Sequence, residues 1–292
     1  MASPLAATSM MGQVKQAHAS WSKPRWFGSE ASDPASISSR VPIKIYQYEI
    51  CPFCNKVKAV LDYCKFSYTT VEVNPLSKKE INFTRELPSD HACSNYRKVP
   101  IALVGEDLIA DSSLILNAIV EKLSEEKEEK IKLLCSSAKD PQVQEWVRWA
   151  DQELAVLLFP NLTRTFSESF QAFSYVQQVP TFSLLDKLSN HVAGATAMWL
   201  AQGKLKSKYK ISDERQALAL ALAKWADALD RKPFLGGSSP NLADLCVFGV
   251  LRAVDGSATQ TVIEESPVSD WYGRMRESVG ERGVARVARE AQ

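Results

Sequence analysis

Cys51-Pro52-Phe53-Cys54 is where this chain can do chemistry. A strand-like run, Ile43-Lys44-Ile45-Tyr46-Gln47-Tyr48, leads into it, and a helix-like stretch, Asn55-Lys56-Val57-Lys58-Ala59-Val60-Leu61, leads out. A cysteine at a helix start faces unpaired backbone N–H groups and the positive end of the helix dipole, and both favour a thiolate. Lys56 and Lys58 add positive charge nearby. The thiolate is the nucleophilic form of sulfur, so Cys51 is the candidate nucleophile. Cys54 stands one turn on along the same helix face, within reach of Cys51. Two other uses of paired cysteines compete. A zinc site needs further ligands at a recognisable spacing, and His91-Ala92-Cys93 is the available partner. A structural disulfide suits secreted frameworks, whereas six cysteines are scattered here through 292 residues. Cys64 and Cys246 fall in apolar helical surroundings that suit a buried thiol.

The elements that must position this motif are set by periodicity. Residues 43–48 read as a strand, 52–64 as a helix and 68–73 as a second strand rich in β-branched residues. Asn74-Pro75 ends that strand, and Ser77-Lys78-Lys79-Glu80 has the spacing of a capping box. Residues 99–104 and 108–110 read as a hairpin turning at Gly105-Glu106-Asp107, and Asp111 caps a helix running to residue 123. A strand, Cys-x-x-Cys, helix and strand succeeded by a hairpin and helix is the thioredoxin-like arrangement. Pro100 opens a strand after a loop, where the thioredoxin architecture has a cis proline beside the reactive sulfur, leaving the backbone of Val99 free to pair with an extended peptide. Asp111-Ser112-Ser113 at a helix start offers N–H groups and hydroxyls to a carboxylate, and Asp111 can serve as a plain N-cap as well.

Beyond the charged linker at 124–142, strand signals vanish. Trp146, Ala150, Leu154 and Leu157 recur at helical spacing, as do Leu218, Leu222, Trp225 and Leu229. Asn241 and Asp244 read as a structural cap and its acidic partner. The fold class expected is thus an α/β thioredoxin-like domain over 41–123 and an all-α domain over 143–279, with a tail at 280–292. A net charge of +1 gives no electrostatic case for nucleic acid, and no apolar run reaches the roughly 18–20 residues of a membrane span. Residues 1–40 are rich in Ala and Ser with no acid before Glu30. That composition matches a mitochondrial transit peptide, and equally a plain disordered tail on a cytoplasmic protein.

Taken together, Cys-Pro-Phe-Cys, Val99-Pro100-Ile101, Asp111-Ser112-Ser113 and the helical second half resemble the glutathione transferase superfamily. Within it, the resemblance is to the membrane-associated prostaglandin E synthase type 2 family. Tyr46-Gln47-Tyr48-Glu49-Ile50-Cys51-Pro52-Phe53-Cys54, Val71-Glu72-Val73-Asn74-Pro75, Tyr96-Arg97-Lys98-Val99-Pro100-Ile101 and Gly236-Gly237 carry it, with Pro240-Asn241-Leu242-Ala243-Asp244-Leu245. It covers residues 43–279, and its motifs stand in the family's order. The resemblance implies a glutathione-transferase-like helical domain, and isomerisation of the lipid endoperoxide prostaglandin H2 to prostaglandin E2, a step of prostaglandin biosynthesis in lipid metabolism. It implies Cys51 as the essential thiol, Tyr48 as hydrogen-bond partner of its sulfur, Phe53 as a wall of the substrate pocket and Cys54 as the less critical thiol. Val99, Pro100, Asp111 and Ser112 would bind glutathione, and the family is associated with haem held through glutathione's sulfur and with a homodimer. Against the family pattern, no hydrophobic anchor is read at the N-terminus, residues 84–94 form an insertion before Tyr96, and the linker is short. Two other functions stay open: a glutaredoxin-like thiol–disulfide oxidoreductase using glutathione, and a non-catalytic glutathione- or haem-binding protein.

Overall fold

The computed structural model describes residues 41–280 and 286–287; the leader at 1–40, with its transit-peptide reading, lies outside the described residues. Strand β1 (Ile43–Gln47) is central because both of its faces are apolar. Ile45 faces the larger core and Tyr46 the smaller one on the other side of the sheet, both fully buried. Helix α1 (Pro52–Tyr63) starts at Pro52, whose missing N–H costs nothing in a first turn. Strand β2 (Thr69–Glu72) returns parallel to β1, with Ile45 opposite Thr70. Strands β3 (Ile101–Val104) and β4 (Asp107–Ala110) form the hairpin, with Gly105 supplying the positive φ of its two-residue turn. β3 runs antiparallel to β1, and helix α2 (Ser112–Leu123) completes the thioredoxin-like region.

Helix α3 (Glu129–Ser137) occupies the middle of the stretch expected as a charged linker. Its charges face water while Ile131, Leu134 and Cys135 are buried in the main core, an amphipathic pattern that the run of Glu and Lys conceals. Helix α4 (Pro141–Trp149) passes through a π turn at Ala150–Leu154 into α5 (Ala155–Leu162). The residue added by that turn rotates the buried face, so Leu158 is buried and the expected Leu157 only partly. Then come α6 (Phe166–Ala172), α7 (Leu184–Ser189), α8 (Ala195–Tyr209), α9 (Glu214–Leu229), α10 (Leu242–Leu251), α11 (Gln260–Glu264) and α12 (Ser269–Val279). The second half is helical, as expected. The tail returns as a two-residue strand, β5 (Arg286–Val287), parallel to β2, so the sheet order is β4-β3-β1-β2-β5. No helix among the described residues is long and apolar enough to cross a membrane.

Helix α10 is buried along its whole length and crosses α1 at Gly249. A Cβ there would lie 2.6 Å from Lys56 Cα and 2.7 Å from the Asn55 carbonyl, so only glycine permits the approach. Asn241 and Asp244 form the expected capping box, with the Asp244 N–H donating to Asn241 at 3.1 Å and the Asn241 N–H to Asp244 at 3.0 Å. Asp244 also accepts from the Leu235 and Gly236 N–H groups and from Trp271 Nε1, so its role is structural. Two ion pairs join α1 to the helical half: Asp62 with Arg252 at 2.6 Å and Lys56 with Asp151 at 2.6 Å.

The expected capping box at Ser77 sits elsewhere. Asn74 Oδ1 accepts from the Leu76 and Ser77 N–H groups, and Glu80 reaches back to the Asn74 N–H at 2.8 Å. Asn74 initiates this turn because its side chain mimics a backbone carbonyl. The turn leads into a 3₁₀ segment, Lys79–Arg85. The stretch 84–94, expected as an insertion, is pinned into the smaller core by Leu87 and Cys93.

Candidate active site

Cys51 is the N-cap of α1, its backbone extended, with its N–H donating to the Tyr48 carbonyl at 3.0 Å. Cys51 is half-buried while Cys54 is fully buried, and both thiols are free. A hydrogen bond from the Cys54 thiol lowers the pKa of Cys51 most; burial opposes this, and the N–H groups of Cys54 and Phe53 and the Lys58 charge assist it. Burial pushes Cys54 the other way, well above the ordinary thiol range, and its bond to Cys51 adds to the rise. One sulfur is therefore primed as thiolate and the other keeps its proton. Lys58 acts on both, as expected from its sequence position, but Lys56 turns away to Asp151 and Ser113.

Tyr48 meets Cys51 through the backbone turn, and its ring packs on the smaller core together with Tyr96 and Val99. Burial raises the Tyr48 hydroxyl pKa, and Cys51 and Cys54 raise it further, so it stays a proton donor. Phe53 is half-buried and packs on the main core. The Val99–Pro100 peptide bond is cis, as expected. Asp111 has φ 81°, a left-handed backbone that only glycine adopts freely, and such positions concentrate at functional sites. Its Oδ1 accepts from the Ser113 N–H at 2.8 Å and the Leu114 N–H at 3.4 Å. Asp111 thus fills part of the N–H cradle itself, and the Ser112 residue beside it is buried. The Ser113 hydroxyl donates to Asp151 at 3.0 Å, tying this corner to the helical half. Cys93 donates to the Leu108 carbonyl at 3.4 Å, and His91 accepts from the Cys93 N–H. Among the described residues no three of His, Cys, Asp and Glu converge as a metal-binding group.

Motif and spacing do not single out the acid beside the thiol. Glu72, at the end of β2, accepts from the Glu49 N–H at 2.9 Å and from Gln47 Nε2 at 3.1 Å. Burial pushes its carboxyl up to about 8, against the lowering effects of Lys58, Gln47 and Tyr175. Lys58 is driven down to about 8 by its own burial and by Arg252, and pairs with Glu49 at 3.0 Å. Two lysines amid Val57, Ala59, Val60 and Leu61 were the available signal, since a buried ammonium requires an acid.

Among known proteins, the Glutaredoxin family model matches residues 43–109. Prostaglandin E synthase 2 of Danio rerio is 34% identical over 288 residues, covering 85% of this chain and 74% of that protein. Prostaglandin E synthase 2 of Mus musculus is 32% identical over 287 residues, covering 84% and 72%. Among solved structures, glutathione S-transferase III in its apo form aligns with a TM-score of 0.49 at 16% identity, covering 83% of this chain and 98% of that one. On its identity to these relatives along most of its length, the chain belongs to the prostaglandin E synthase 2 family.

Proposed function

We propose that this protein is a glutathione-dependent isomerase that converts prostaglandin H2 to prostaglandin E2 through the Cys51 thiol. The observation that carries the reading is the inequality of the two sulfurs: Cys51 lowered at a helix start and Cys54 raised in the core. Isomerisation needs one activated thiolate that is returned unchanged. Cys51 Sγ takes the proton from the ring carbon bearing one endoperoxide oxygen. The C–H electron pair becomes the C=O bond, the O–O bond breaks, and the second oxygen takes a proton to become the hydroxyl. The thiol proton is returned in that last transfer, so atoms and electrons balance with no external oxidant. Tyr48, its hydroxyl protonated, suits a donor to the developing alkoxide.

The donor set fits a small zwitterionic peptide. Val99 packs on the same smaller core as Tyr48 and Tyr96, Ser112 opens a helix, and Asp111 uses only Oδ1 in its capping bonds, leaving Oδ2 for an ammonium. Bound glutathione would supply a second thiol beside Cys51. Haem, which the family resemblance implies, would be held through glutathione's sulfur.

The second reading is glutaredoxin-like thiol–disulfide exchange, which the family match over 43–109 favours. Exchange through a dithiol needs Cys54 as resolving partner, although a monothiol route through glutathione bypasses it. Endoperoxide isomerisation and glutathione–disulfide exchange, assayed side by side on purified protein, separate the two. Cys51→Ser is expected to abolish isomerisation and Cys54→Ser to leave most of it. Equal loss from both substitutions would point to a dithiol cycle, and full activity in Cys51→Ser would remove that cysteine from the mechanism. Absence of both activities with glutathione still bound would leave a binding protein.

A further inference from the structure

The turn that carries Cys51 is held from outside at several points that belong to neither thiol. The Glu49 N–H donates to Glu72 Oε1 at 2.9 Å, and the Glu49 carbonyl accepts from Asn55 Nδ2 at 2.7 Å. The same Asn55 amide reaches the Cys51 carbonyl at 3.1 Å. Gln47 Nε2 bridges the two carboxylates, at 2.9 Å to Glu49 Oε2 and 3.1 Å to Glu72 Oε2. Gln47, Asn55 and Lys58 are all buried. From the helical half, Tyr175 stands close enough to Glu72 for each to shift the other's ionisation. Burying a carboxyl beside a second acid is costly, and apolar residues would end this strand more stably. What the arrangement gains is a fixed path for residues 48–51, and hence a fixed place for the sulfur.

We infer that Glu72 is a positioning residue for Cys51, clamping the Glu49 N–H of the thiol-bearing turn. The inference rests on Cys51 as the reactive thiol and not on the identity of the substrate. Glu72 touches no reacting atom; it acts through the turn. A lost clamp lets the sulfur drift from the N–H groups and the Cys54 thiol that favour its ionised form.

The test is the rate of Cys51 alkylation by iodoacetamide at neutral pH on the full chain, with the modified peptide identified by mass spectrometry. Glu72→Leu is expected to slow alkylation by up to about tenfold, the upper scale of one lost hydrogen bond. Glu72→Gln, whose amide oxygen still accepts the Glu49 N–H, is expected to stay within about threefold of the parent. Glu72→Val, a strand-forming residue that also lacks the acceptor, carries the test if the leucine variant does not fold, with the same slowing of up to about tenfold expected. A parent-like rate in Glu72→Leu or Glu72→Val, or a glutamine variant as slow as the leucine one, would overturn the inference. A parent Cys51 no faster than an ordinary free thiol would overturn the reading of Cys51 together with it. A fast parent with a fast leucine variant would overturn the clamp alone.

Discussion

Cys51 and Cys54 differ because two residues of helix separate a partly open cap from a sealed core. Cys54 keeps its proton through burial and lends it to the Cys51 sulfur, so the inner thiol matters as a hydrogen-bond donor whether or not it ever forms a disulfide. Cys54→Ser replaces one donor by another and should leave the Cys51 ionisation close to the parent's. Cys54→Ala removes the donor. Its Cys51 pH–rate curve should move to higher pH, with alkylation at neutral pH slowed about tenfold. The sign comes from the lowered pKa: reactivity is full above it and fades as pH falls through it. In the parent that fade should begin below the ordinary thiol range of about 8.5. An alanine variant titrating with the parent would show that the donor is not what lowers Cys51.

Helices α1 and α10 meet where glycine leaves room, and that contact reaches the site because Asn55 and Lys56 stand on the thiol's own helix. Gly249→Ala forces a methyl to 2.6 Å from Lys56 Cα, against rigid backbone on both sides. The helices must part, and overpacking of this kind costs about 1–3 kcal/mol. Gly273, exposed on α12 with nothing near its would-be Cβ, provides the control. Gly273→Ala should be neutral or gain up to about 1 kcal/mol from helix propensity. Urea denaturation of both variants measures the difference, and an unchanged midpoint in Gly249→Ala would mean the crossing is looser than its geometry implies. Because Asn55 holds the Cys51 carbonyl, the same substitution should also slow Cys51 alkylation, which Gly273→Ala should not.

The two halves are joined by charge as well as by apolar packing. Asp62 on α1 pairs with Arg252 beyond α10, both buried, and Tyr68 adds a hydroxyl bond to Asp62 at 2.8 Å. Such a pair contributes little over an apolar contact, yet breaking it strands a charge. Arg252→Leu is therefore expected to cost about 3–5 kcal/mol, while an Asp62→Leu, Arg252→Leu double variant should recover much of that loss. A double variant as unstable as the single one, by urea denaturation, would show that the pair fixes the packing of the halves rather than offsetting its own burial. The second pair, Lys56 with Asp151, takes a lysine that stands close to the thiols in sequence and points it into the interface.

Local sequence was enough for the strand, Cys-x-x-Cys and helix, for the hairpin turning at Gly105, for Asp111 as a cap and for the Asn241 and Asp244 box. Each depends on groups within a few residues of one another, so residue type and spacing carry the whole argument. The helix inside the charged stretch, the shift from Leu157 to Leu158 and the tail's return as β5 were not legible, because burial against distant elements decides them. The same holds for the polar surroundings of the thiol. Glu72 meets Glu49 across 23 residues, Lys56 meets Asp151 across 95 and Arg252 meets Asp62 across 190. Buried lysines in an apolar helix announce that partners exist, but hydrogen bonding is short-ranged, and only the folded chain brings those partners within its reach.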